Sequence, residues 1–166
     1  MTTTSHDNLI EALRDEVQEY GGLLSLFDEQ QTAILERKPT VVLSIQDSIK
    51  GQLETINGCR KRREQIAREF AVSLGQEPEI TVRQLIDYCE EVVRPLLHAL
   101  IYEVNQLITK TRRRGQQNQM LLARSIEVSQ QILQRLNPGA LTKTYSRRGR
   151  INISRWGVGS TYLARS

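Results

Sequence analysis

From Ile10 onward, apolar residues return at alternating steps of three and four: Ile10, Leu13, Val17, Tyr20, Leu24, Phe27, then Gln31 and Ile34. This spacing is a heptad seam, and it commits the first segment to a long amphipathic helix with one face turned to a partner. A second seam runs Val42, Ile45, Ile49, Leu53, Ile56 and resumes at Ile66 and Phe70. A third runs Leu97, Leu100, Val104, Leu107, Thr111, Gly115, Asn118, Leu122, Ser125, Ser129, Ile132 and Leu136. Aromatics make up only 5% of the 166 residues and hydrophobics 39%, a balance that suits long helices better than a rounded, aromatic-rich core.

The breaks between seams are equally plain. Pro39 lacks an amide hydrogen and disfavours helix in the residue before it, so "ERKPT" predicts a tight reversal. Gly75 and Pro78 stop the second helix, and Thr81 with Gln84 forms a capping box, flanked by Ile80 and Leu85 as a hydrophobic staple. Asn137, Pro138 and Gly139 end the third. The expected fold is therefore all-α, an elongated antiparallel three-helix coiled-coil bundle over residues 1–138, with helices at about 6–37, 40–74 and 81–136. Gly21 and Gly22 predict a bend in the first helix, and Pro95 a kink or short break in the third. Residues 139–166 read as a basic, flexible tail, with six basic groups and no acid.

Charge is unevenly placed. Residues 1–38 hold eight acidic and three basic groups, whereas residues 95–136 hold six basic and two acidic. This polarity predicts an acidic first helix near a basic third one, or a basic tail seeking an acidic partner. The run Arg60–Arg63 and the acids Asp15, Glu16 and Glu19 read as solvated helix faces.

Enzymatic chemistry needs convergent acids, bases or nucleophiles, and the chain has no Gly-rich phosphate loop, nucleophile elbow or HExxH motif. No catalytic residue, cofactor or metal ligand is expected; Cys59 and Cys89 are too few for a metal cage and read as small helix-face residues. The most apolar stretch, 92–108, is interrupted by Arg94, Pro95, His98 and Glu103, so no membrane insertion is expected, and "MTTTSHDN" lacks the basic start and apolar middle of a secretory signal. A cytoplasmic location follows as the expectation. A nucleic-acid binder could use Arg112–Arg114 and the tail, but the acidic first helix opposes it and no reading motif is present.

The seams favour a protein-interaction role. The third helix is longer than the first two, so the apolar face at Leu121, Leu122, Ile126, Ile132, Leu133 and Leu136 is expected to be incompletely covered. Such a face invites a second amphipathic helix. Polar seam members Thr111, Asn118, Ser125 and Ser129 would temper its stickiness and fix register.

At the end of the chain, "NQMLLARSIEVSQQILQRL" (118–136) followed by "TYSRRGR" (144–150) resembles the flagellar export chaperone FlgN family. The residues that carry the likeness are Asn118, Leu121, Leu122, Ser125, Tyr145 and Gly149. The resemblance implies a cytoplasmic, substrate-specific chaperone of type III export, monomeric or weakly dimeric. Its implied clients are the hook-associated proteins FlgK and FlgL, delivered to a component of the export gate. Under this implication, client binding falls to Asn118, Leu121, Leu122, Ser125, Ser129, Ile132 and Leu136, and export docking to Tyr145, Arg147, Arg148 and Gly149. A general coiled-coil tether or scaffold is the alternative, with a basic-tailed nucleic-acid binder behind it.

Overall fold

The computed structural model describes the backbone of residues 2–136 and the side chains of residues 6–136. Those residues form helices and their connections, with no strand among them. Four α-helices follow in order: α1 (Thr2–Leu35), α2 (Pro39–Ser73), α3 (Val82–Leu85) and α4 (Arg94–Leu136), with a 3-10 turn at Ile86–Tyr88 after α3. The chain divides into two compact units, Met1–Ile126 and Glu127–Ser166.

In the first unit, α1 and α2 form an antiparallel hairpin. Cross-links between them shorten in sequence toward the turn: Arg63 to Glu16, Gln52 to Glu19, Gln30 to Gln46. Pro39 opens α2, where its missing donor is no loss because the first amides of a helix have no intrahelical acceptor. The reversal needs only Glu36–Lys38, and Arg37 takes a left-handed φ of 57° to make it. Its amide still bonds the carbonyl of Ile34, and that of Lys38 the carbonyl of Ala33. At the other end of α2, Gly75 sits at φ 68°, a conformation that glycine adopts without steric cost.

The capping box holds as the sequence predicts: the Thr81 side chain accepts from the Gln84 amide, and the Gln84 side chain accepts from the Thr81 amide. Ile80 and Leu85 both join the main core. The helix begun there does not continue to residue 136, however. It ends after one turn at Leu85, passes through the 3-10 turn, and a separate helix starts at Arg94. Pro95 therefore lies in the first turn of α4 rather than kinking a longer helix, because only there does its ring avoid a preceding turn's carbonyl. Arg94 ties the break together, its guanidinium donating to the carbonyls of Cys89 at 2.9 Å and Asp87 at 3.0 Å. The expected third helix over 81–136, with a kink or short break at Pro95, is thus corrected to two helices and a turn, the interruption falling ahead of Pro95. Helix α1 is continuous through Gly21 and Gly22.

Three apolar clusters run along the hairpin. The largest gathers Leu9, Ile10 and Leu13 of α1, Ala67, Phe70 and Ala71 of α2, Leu85 and Ile86 of the connection, and Leu97 and Val104 of α4. A middle cluster is built on Leu23, Ile49 and Ile56. A third, next to the turn, holds Ala33, Ile34 and Val42, with Leu121 packed on it. Thus α4 meets both hairpin helices within the first unit.

Candidate partner-binding surface

Charged side chains of α1 and α2 pair across the hairpin. Arg62 donates to Asp15 at 2.8 Å and lies 3.7 Å from Glu11, while Arg63 Nε lies 2.5 Å from the Glu16 carboxylate. Glu16 is 1% exposed, so it is a buried charge with a dedicated counter-ion and no part of a solvated face. Gln52 Nε2 donates to both the Glu19 carboxylate and the Glu19 carbonyl. These findings correct the reading of Arg60–Arg63 and of the α1 acids as independent solvated runs; in part, each is the other's partner.

One arginine of the α4 basic run is used in the same way. Arg114 Nε lies 2.7 Å from Asp28, and its Nη1 donates to Gln31 at 3.0 Å. Lys110, Arg112 and Arg113 are exposed. Helix-to-helix pairing of this kind engages Arg62, Arg63 and Arg114, cations that a phosphate backbone would otherwise contact.

Both thiols are raised above their ordinary value of 9.0. Burial is the chief cause for Cys59, reinforced by the nearby Glu19, Asp15 and Glu16, and burial is again the chief cause for Cys89, opposed by Arg94. Neither has the depressed value of a reactive nucleophile. Among the described residues no group of three or more His, Cys, Asp or Glu could hold a metal ion.

The expected client-binding residues divide into two groups. Asn118 is 2% exposed and faces α1, its Nδ2 donating to the Phe27 carbonyl at 2.7 Å and to Gln30 Oε1 at 3.1 Å. Gly115, one turn earlier, lets the Phe27 ring approach; a Cβ there would stand 3.1 Å from Cζ. Leu121 is half-buried against the turn-proximal cluster. Thr111, also interior, bonds locally, its Oγ1 donating to the Leu107 carbonyl at 2.8 Å, whereas Asn118 Oδ1 is buried with no hydrogen-bond partner among the described residues. These residues hold α4 on the hairpin.

Leu122, Ser125, Ser129, Ile132 and Leu136 are exposed, Leu122 and Ser125 in the first unit and the others in the second. Also exposed are Ile126 in the first unit and Val128 and Leu133 in the second. Every described residue of the second unit is exposed. Val128 was missed by the seam reading, although its spacing of four from Ile132 is the signal that finds it. Tyr145, Arg147, Arg148 and Gly149 lie outside the described residues, as does the whole expected tail.

In the second unit, an exposed apolar helix face with polar residues on its other side suits the capture of another helix. Comparison with known proteins points the same way. The model of the family described as FlgN protein matches residues 1–153, which covers α1 to α4 and reaches past Tyr145 and Gly149. No curated protein and no solved structure matches the chain. With most of its length matched by that one family model, the chain belongs to the FlgN family of flagellar type III export chaperones.

Proposed function

We propose that this FlgN-family protein is a cytoplasmic, substrate-specific chaperone for FlgK- and FlgL-like hook-associated proteins, binding their terminal amphipathic helices and delivering them to the export gate. The observation that carries this reading is the set of large apolar side chains exposed on α4, above all Ile132 at 48%, Leu133 at 60% and Leu136 at 77%. A side chain of that size left in water is a standing gain for any partner that covers it. No helix among the described residues is long and apolar enough to cross a membrane, in keeping with a chaperone that meets its client before export.

The chaperone lends the client's adhesive helix a temporary partner and so blocks premature polymerisation, with no cofactor required. Ordering of the client on binding consumes part of the contact energy, which keeps the complex loose enough for the export machinery to take apart. In this scheme the three long helices act as a coiled-coil bundle, monomeric or weakly dimeric, whose last helix presents the client site. Of the residues expected there, Leu122, Ser125, Ser129, Ile132 and Leu136 form the contact, while Asn118 and Leu121 position α4. The tail supplies the export contact, with Tyr145 as apolar anchor beside Gly149, and Arg147 and Arg148 steering toward an acidic surface.

Ile132→Glu is expected to weaken binding of a purified FlgK-like protein about 30- to 100-fold in calorimetric titration, since a buried contact becomes a buried charge. The thermal melt should stay unchanged. Tyr145→Ala is expected to leave that affinity intact and to reduce secretion of the client. Unaltered client affinity in Ile132→Glu would remove the α4 face from the mechanism. Steeply salt-dependent retardation of an oligonucleotide, absent client binding, would favour the nucleic-acid alternative instead.

A further inference from the structure

The second unit's described stretch divides around the helix into an apolar sector interrupted by one serine and a polar remainder. At about 100° per residue, Val128, Ile132, Leu136 and Leu133 fan across roughly 140° of arc, with Val128 and Leu133 at its two edges and Ser129 between Leu136 and Leu133, much as Thr111 falls among the apolar residues of α4 in the first unit. Glu127, Gln130, Gln131, Gln134 and Arg135 occupy the rest. A single partner helix engages the narrower stripe of a two-stranded seam, and an apolar sector wider than about 100° is what a helix shows to a multi-helix core.

The first unit provides the internal measure. There the apolar sector of α4 from Leu107 to Ile101 spans about 120° by the same count. Residues of both α1 and α2 join its core, Leu9 and Leu13 of α1 and Phe70 and Ala71 of α2 sharing a cluster with Leu97 and Val104. Two helices are thus used for a sector no wider than the one left open. The four open side chains are 40%, 48%, 60% and 77% exposed, so both edges as well as the centre of the sector are accessible.

We propose that residues 128–136 accept two amphipathic helices of the client, one on the Val128 edge and one on the Leu133 edge, rather than a single helix. The edges differ in charge. Arg135 lies about 20° beyond Val128, whereas the uncharged Gln130 lies about 60° beyond Leu133. The helix on the Val128 side therefore carries an acidic residue opposite Arg135, and its neighbour does not. This rests on the chaperone reading above and specifies what that surface receives.

The test uses the full chain and an intact, purified FlgK-like hook-associated protein in calorimetric titration, with Val128→Glu, Leu133→Glu and Ile132→Glu compared. Val128→Glu and Leu133→Glu are each expected to weaken binding at least tenfold, and Arg135→Glu to weaken it while making the remaining affinity less sensitive to salt. All four should melt as the wild type does, because the altered side chains are exposed. If only one edge matters while Ile132→Glu still abolishes binding, a single helix is the occupant and the two-helix proposal is overturned with the chaperone reading intact. If none of the substitutions matters, the chaperone reading of this face fails with it. A free wild-type chain that sediments as a stable dimer and is split by either edge variant would identify a second copy as the occupant. A gain in affinity at either edge would show that the chain's own downstream segment covers the face. Either of these last two results also overturns the proposal.

Discussion

Arg63→Ala is expected to lower the unfolding free energy by about 3–5 kcal/mol, a large part of the stability of a domain of this size. The cause is the partner left behind. Glu16 is 1% exposed, and among the described residues the guanidinium beside it is its ion-pair partner, at 2.5 Å. With Arg63 gone, the carboxylate must stay buried without a counter-charge, take up a proton, or push α1 and α2 apart to reach water. Each course costs free energy. Neighbouring Arg62 offers a contrast, since its pairs with Asp15 and Glu11 join side chains 40–64% exposed and its removal should cost less than about 1 kcal/mol. Urea denaturation separates the two cases. The double substitution Glu16→Leu with Arg63→Met should recover most of the loss, because an apolar pair of similar volume carries no desolvation penalty. An Arg63→Ala midpoint within error of the wild type would show that Glu16 does not depend on this contact.

Phe70→Ala should cost about as much, roughly 3–5 kcal/mol, by a different route. Phe70 is 2% exposed in the largest cluster, where the hairpin, the connection and α4 all converge. Loss of the ring forfeits its transfer free energy and leaves a void that three separate elements would have to move to fill. Full collapse is therefore unavailable, and the cost falls in the upper part of the range for such truncations. Leu53→Ala is the control, since Leu53 lies on the same helix but is 48% exposed, and its effect should stay within about 0.5 kcal/mol. Equal effects for the two would mean that the core is centred elsewhere.

The helical class and the turn at Pro39 were readable because they rest on local rules: spacing of three and four, a missing amide hydrogen, a capping box. The break before α4 was expected as one of two outcomes at Pro95, a kink or a short interruption, but its place ahead of the proline was not. Proline suits the first turn of a helix as well as it spoils an interior, and the capping box at Thr81 followed by the seam from Leu97 favoured the interior reading. Only the Arg94 side chain, folded back on Cys89 and Asp87, and the burial of Leu85 and Ile86 show why the chain stops and restarts. Charge was misjudged for a related reason. That Arg62 and Arg63 answer Glu11, Asp15 and Glu16 depends on the register of the hairpin, and heptad spacing alone leaves register open by whole turns. Asn118 carries the same lesson, since its type marks a polar seam position but its depth, at 2% exposed, is set by Phe27 and Gln30 some ninety residues away.

The three clusters of the hairpin differ in size, and that difference sets a gradient along its length. Near Phe70 the helices are pinned by a broad core and by the connection folded beneath it, whereas by the turn at Arg37 only a few side chains hold them together. Cooperative opening begins where the fewest contacts must be broken at once. The turn end should thus breathe at rates that the opposite end does not reach, and amide protons there should exchange through brief fraying while those around Ala71 await global unfolding. A protein that must take hold of a client and later release it gains from such an arrangement, because one end can yield while the other keeps the molecule folded.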